Sequence, residues 1–213
     1  MAIDQTLNHE VMQSIIKRYP RTRSSIMPLL HYVQSVSGYV TNEGIETISK
    51  LLEIETAEVS AVATFYTQYK RKPVGEYHVG VCTNTLCAVM GGDAIFSALK
   101  EHLGVENDGV TADGKVSLEH IECNAACDYA PVVMANWEFY DNQTVESAKA
   151  LVDGARQGNP PAPTRGPNHL VTYKEASAVL AGLDDGLARE GVQAGGPTLL
   201  GLKLSKEGKY CQS

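Results

Sequence analysis

Four of the five cysteines of this chain lie between positions 82 and 127, as Cys82-Thr83-Asn84-Thr85-Leu86-Cys87 and Cys123-Asn124-Ala125-Ala126-Cys127. Two tight pairs on separate loops can close on one small object only if the intervening chain brings the second loop back to the first. At 213 residues the chain can bury a core without covalent staples, so disulfides are not required for folding. Residues 1–6 show neither the basic and apolar regions of an export signal nor an Arg-rich transit pattern. No apolar run approaches the roughly 18 residues needed to cross a bilayer. The net charge of -7 argues against nucleic-acid or anionic-membrane binding. A soluble, reducing compartment is expected, where clustered cysteines bind metal or catalyse.

Residues 1–73 read as a bundle of about four helices. His9 to Tyr19 puts Val11, Met12, Ile15 and Ile16 on one face before Pro20. Ser24 or Ser25 offers a cap for a segment running to Val36, with Pro28 in its first turn and Gly38 closing it. Thr41 or Asn42 can cap the next segment, through Leu52. Thr56 with Glu58 can start another, which carries Val59, Val62, Ala63, Phe65 and Tyr66; core packing or partner contact accounts for the aromatics.

After Pro73-Val74-Gly75 the period changes to an alternation of Tyr77, Val79 and Val81 against His78 and Gly80, a strand that runs into Cys82. Met90-Gly91-Gly92-Asp93 opens a helix through Leu103. After a turn at residues 111–114, Val116, Leu118 and His120 alternate toward Cys123. A third strand covers Val132 to Asn136, and Thr144 caps a helix through Arg156. Each cysteine pair thus follows a strand, in a β-α-β-β-α unit over 74–157. Residues 158–213 begin with a Pro-rich stretch, 159–167, followed by one short helix over Tyr173 to Leu180. They read as an extension with too little apolar periodicity for its own core, one that orders on a partner. By that reading a chain ending at Gly158 would still fold.

Two thiolates for each of two irons suit a [2Fe-2S] cluster, and two separate pairs supply them. Structural zinc also takes four thiolates, but from knuckles with shorter gaps than the four- and three-residue ones here. A thioredoxin-type dithiol needs Cys-x-x-Cys, which is absent. His120 raises a mixed His/Cys site, although four thiolates already complete a set and a strand-face histidine is the plainer reading. Cys211 reads as a free thiol. Gly91-Gly92 is no dinucleotide fingerprint, and no phosphate loop appears.

From about Val11 to Arg156 the chain closely resembles the thioredoxin-like [2Fe-2S] subunit family of respiratory NADH:quinone oxidoreductase, the E-type subunit of complex I. The resemblance rests on Ala63-Thr64-Phe65-Tyr66, Pro73-x-Gly75-x-Tyr77, Cys82-x4-Cys87, Gly91-Gly92, Thr111-x-Asp113-Gly114 and Glu122-Cys123-x3-Cys127-x2-Ala130-Pro131. One departure is Asn124-Ala125-Ala126, where the family commonly has Leu-Gly-Ala; an alanine there is strained if φ > 0 is needed. The resemblance implies an α+β chain: a helical domain (1–73), a thioredoxin-like [2Fe-2S] domain (74–157) and a C-terminal extension (158–213) ordered on partner subunits.

It further implies one [2Fe-2S] cluster bound by Cys82, Cys87, Cys123 and Cys127, in a subunit of an oxidoreductase that has no catalytic residue or substrate site of its own. The implied partners are the flavoprotein subunit, which binds FMN and NADH, and the large iron-sulfur subunit of the peripheral arm. Contact with the membrane, at its cytoplasmic face, would come only through the complex. The equivalent subunit of an NAD-linked hydrogenase or formate dehydrogenase, and a zinc-stabilised interaction module, are the alternatives. A cluster of negative net charge calls for N–H donors; the amides of Asn84, Thr85, Ala88, Asn124 and Ala126 and the start of the helix at Met90 are the candidates.

Overall fold

A computed structural model describes residues 7–209, and in it the chain divides into two compact units. The first comprises residues up to His78, Val110–Ser117 and Val171–Asp185. The second comprises Val79–Gly109, Leu118–Leu170 and the residues from Gly186 onward. The stretch expected as a C-terminal extension is thereby shared out, Val171–Asp185 to the first unit and the rest to the second.

The first unit is helical. Helix α1 (His9–Ile16) starts where the Asn8 side chain accepts the Glu10 amide at 2.9 Å. Helix α2 (Ile26–Ser37) ends at Gly38, whose φ of 82° suits a residue without a Cβ. Helix α3 (Asn42–Leu52) is capped by Thr41, which accepts the Gly44 amide at 2.9 Å. Helix α4 (Thr56–Phe65) closes the series. Two caps differ from expectation. Ser25 turns its hydroxyl back to the Thr22 carbonyl, at 2.6 Å, inside a 3-10 turn. At α4 the capping residue is Glu55, whose amide donates to the Glu58 carboxylate at 3.2 Å, and Thr56 is already helical. The core gathers Met12, Ile15, Leu29, Leu30, Val33, Ile48 and Val59.

Helix α8 (Tyr173–Leu180) belongs to this unit and lies along α2. Tyr173, Ala176, Ser177 and Ala181 are buried there. Gln34 of α2, fully buried, donates to the Gln68 carbonyl (3.1 Å) and the Ser177 hydroxyl (3.3 Å) and accepts the Lys70 amide (2.9 Å). Burial of its amide is thereby offset at both ends.

The sheet has the order β2-β3-β1-β4-β5, and the division between the units falls within its strands. Its members are β1 (Tyr77–Cys82), β2 (Gly109–Val110), β3 (Val116–Ile121), β4 (Val133–Ala135) and β5 (Glu138–Tyr140). Every residue of β1 is buried, so both of its faces are covered, and buried His78 meets the Ser117 hydroxyl through Nδ1 at 2.8 Å. Strands β4 and β5 pair antiparallel through Asn136 and Trp137, with φ of 48° and 73°. Two positive φ values define a primed hairpin turn, in which Asn-Trp is an uncommon pair, so the sequence shows only one strand there. In the second unit α6 (Gly92–Leu103) and α7 (Val145–Arg156) pack together, through buried residues that include Leu99, Leu103, Leu151 and Val152. Helix α9 (Gly196–Lys206) has no buried residue.

Candidate iron-sulfur site

Cys82 is the last residue of β1, and its amide donates to the Val132 carbonyl at 3.1 Å beside β4. The chain then turns into a one-turn helix, α5 (Thr85–Val89), which carries Cys87. Five residues are too few to show a period, so the sequence alone gives no helix here. Met90 ends α5 instead of opening the next helix, and α6 begins at Gly92 after Gly91, whose φ is 115°. A Cβ on Gly92 would overlap the carbonyl oxygens of Cys82 and Cys87, so only glycine lets the start of α6 butt against the cysteine loop. Cys123 and Cys127 follow β3, the latter opening a 3-10 turn, Cys127–Tyr129.

All four thiols are free and lie in the second unit. Cys82 and Cys87 are buried with Ala126, Ala130 and Val132, while Cys123 and Cys127 are exposed. The Cys123 and Cys127 sulfurs stand 3.5 Å apart. Burial, then the neighbouring Cys87 and Cys123 thiols, push the Cys82 thiol up to about 11, against the pull of the Asn84 amide. Cys127 is raised as well, first by its hydrogen bond to Cys123 and then by charge repulsion from Cys123 and Cys82. Thiols that raise one another's pKa form a site that favours neutral sulfur until cations take the protons' place.

Among the described residues no three His, Cys, Asp or Glu side chains are gathered closely enough to hold a metal ion. The thiols stand as two pairs, and two sulfurs bound at about 2.3 Å to one tetrahedral metal lie roughly 3.7 Å apart, close to the Cys123–Cys127 spacing. Donor number, donor chemistry and the Cys123–Cys127 spacing therefore fit a metal group held by thiolates.

The expected N–H donors are met in part. The Asn84 amide serves the Cys82 sulfur, but the Ala88 amide is spent on the Asn84 carbonyl at 2.8 Å. The Ala125 amide, absent from the expected set, donates to the Cys123 sulfur at 3.4 Å. Ala125 takes φ = 55°, the left-handed conformation that a glycine would adopt at less cost. The Asn84 side chain donates to the Glu122 carboxylate at 3.0 Å, tying the two cysteine loops together. His120 stands away from the thiols, edge-on to the Phe96 ring at 6.1 Å. Cys211 lies outside the described residues.

The family model for the thioredoxin-like [2Fe-2S] ferredoxin matches residues 12–156, which include both cysteine pairs. The chain belongs to the thioredoxin-like [2Fe-2S] ferredoxin family. The family's character supports an iron-sulfur cluster here. Among curated relatives, the E-type subunit of the NADH-quinone oxidoreductase of Mycobacterium tuberculosis (strain H37Rv) is 59% identical over 196 residues, which are 92% of this chain and 77% of that one. The corresponding E-type subunit of Rickettsia bellii is 41% identical over 152 residues, 70% of this chain and 91% of its own. A solved NAD+-reducing [NiFe]-hydrogenase, in the air-oxidised state, shares the fold with a TM-score of 0.55 at 17% identity, over 64% of this chain and 23% of that one. Among the described residues the chain mixes helices with one five-stranded sheet. Among the described residues no helix is long and apolar enough to cross a membrane.

Proposed function

We propose that this chain is the [2Fe-2S] electron-transfer subunit of an NADH:quinone oxidoreductase, with one cluster held by Cys82, Cys87, Cys123 and Cys127. The observation that carries the reading is that two free thiol pairs, one buried and one exposed, both fall inside the matched region. A bound [2Fe-2S] cluster supplies reversible one-electron storage.

The chain's own residues prepare that site. In this reading the four thiols would give up their protons to hold the irons from two loops. Ala126, Ala130 and Val132 keep water from the Cys82–Cys87 side. The amides of Asn84 and Ala125 point hydrogen-bond donors at sulfur, which stabilises negative charge there. Exposure of Cys123 and Cys127 leaves that side open to an electron donor, and Leu86, Val89 and Met90 offer apolar surface beside Cys87. The donor in this reading is the FMN of a flavoprotein partner, which also binds NADH. The large iron-sulfur subunit of the peripheral arm is the second partner, at the cytoplasmic face of the membrane.

The test is reduction after anaerobic reconstitution with iron and sulfide. NADH alone leaves the cluster oxidised, dithionite reduces it, and NADH reduces it partly or wholly once the FMN-loaded flavoprotein is added. Rapid NADH reduction of this chain without flavin overturns the assignment of NADH and FMN to the partner. Failure to take up iron and sulfide overturns the cluster itself.

A further inference from the structure

Beyond Gly158 the Pro-rich stretch is held to the second unit by an ion pair. Arg165 donates through Nε and Nη2 to the two carboxylate oxygens of Asp141, each at 2.8 Å, with side chains only 18% and 7% exposed. Thr164 completes the clasp: its hydroxyl donates to Asp141 Oδ2 at 2.9 Å and accepts the Asp141 amide at 3.0 Å. The Thr164 amide donates to the Phe139 carbonyl at 2.8 Å.

The guanidinium sits over two rings, 4.2 Å from the centroid of Phe139 and 5.3 Å from that of Tyr129. Phe139 packs against the buried cluster of Cys82, Cys87 and Ala126, and Tyr129 ends the turn that Cys127 opens. A later pass of the chain reaches the same place. The Gly166 amide donates to the Val192 carbonyl at 2.9 Å, and Gly195 lies so close to Tyr129 that a Cβ there would overlap its hydroxyl. These contacts lie beyond residue 156, where the family match ends, whereas the alignment with the mycobacterial relative covers 92% of the chain and so runs well past it.

We propose that the extension is a clasp on the second cysteine loop, with Arg165 as a positioning residue that acts through Tyr129 and Phe139 on the retention and the reduction potential of the cluster. The inference rests on the reading that Cys123 and Cys127 are ligands. The ion pair is neutral as a whole, so its effect is mechanical and dielectric rather than a direct charge on the cluster. It holds the loop and keeps water from one side. Opening the clasp admits water, which stabilises the more negative reduced state, so the potential moves upward.

The experiment compares the full-length reconstituted chain with Arg165→Met/Asp141→Asn, which removes the pair without stranding a buried charge, and with Arg165→Lys as the conservative variant. Gly195→Val is a second probe, which disturbs Tyr129 and leaves the ion pair intact. The double variant is expected to lose its visible absorbance to chelator about tenfold faster, in the range of outer-shell substitutions at metal sites. Its EPR-monitored midpoint is expected to shift upward, with Arg165→Lys intermediate and the melting temperature little changed. Loss rate and potential both equal to wild type, in the double variant and in Gly195→Val, overturn the clasp.

A readout without the cluster separates this from the functional reading. In apo-protein, alkylation of Cys82 and Cys87, buried against Phe139, speeds up in the variants while that of the already exposed Cys123 and Cys127 changes little. Equal speeding of all four thiols means general loosening and also overturns it. Wild type that takes up no cluster refutes the ligand assignment, and the alkylation pattern still decides the clasp. A double variant that fails to fold leaves the decision to Gly195→Val.

Discussion

Ala125 shows how a single backbone dihedral enters the chemistry of the site. Its left-handed φ aims its own amide at the Cys123 sulfur, so the strain and the hydrogen bond come together. Ala125→Gly is expected to keep that geometry and raise stability by up to about 1 kcal/mol, the relief of left-handed strain less the added freedom of the unfolded chain; thermal melting of the two proteins measures it. Gly92→Ala is expected to do the reverse. Its methyl would meet the Cys82 and Cys87 carbonyls, at a cost of about 2 kcal/mol as for other overpacked sites. Urea melts read the stability, and the yield of cluster should fall with it. Replacing any one of Cys82, Cys87, Cys123 or Cys127 by serine should abolish the EPR signal, while Cys211→Ser should leave it intact. The double glycine and the cysteine spacing were plain in the sequence. The Ala125 amide was not among the expected donors, although the departure from glycine at that position was the signal that could have found it.

At the scale of the element, α2 carries two buried polar side chains, and each constrains the bundle differently. Gln34 has its hydrogen bonds met by a loop and by α8. The His31 ring lies tilted against that of Tyr69, centroids 4.7 Å apart, and burial lowers its pKa to about 4, only partly opposed by a hydrogen bond with Gln68. The folded state therefore refuses a proton that the unfolded chain accepts near 6.5. Stability from this group is complete above about pH 6.5 and drains away as pH falls toward 4. Between pH 7 and pH 5 the loss is about 2 kcal/mol. His31→Gln should be less acid-sensitive than the native chain by about that amount, as read from urea midpoints at the two pH values. The apolar period of α2 was legible in the sequence, and so was its end at Gly38. What Gln34 and His31 do was not, because their partners lie 34 or more residues away for Gln34 and 38 away for the His31 ring contact.

For the whole molecule, the contacts of residues 159–185 bear on where the chain can be cut. A chain ending at Gly158 would lose α8, with its buried Tyr173, Ala176 and Ser177, from the first unit. It would also lose Thr164 and Arg165, which hold the Asp141 carboxylate, from the second. Such a chain is expected to melt well below the native one, in contrast to the expectation from composition that it would fold unaided. A chain ending at Asp185 keeps α8 and Arg165 and omits α9, all of whose side chains are exposed, so it should melt closer to the native protein. Differential scanning calorimetry of the three lengths orders them.

Most helices, the strands that lead to the cysteine pairs and the candidate ligands were legible in the residues themselves. Helical and alternating periods are set by which face each residue presents, and four thiols in two short-range pairs are the donor set of a thiolate metal site. The sequence could not determine that Asn-Trp would turn a hairpin, or that a proline-rich stretch would be pinned by Arg165. Those outcomes depend on energies that exist only once distant groups meet: a carboxylate buried against Arg165, a glutamine whose partners come from two distant stretches of chain, a glycine pressed against a tyrosine. Only the tertiary structure decided them, since burial turns a weak surface pair into one whose loss leaves an uncompensated charge.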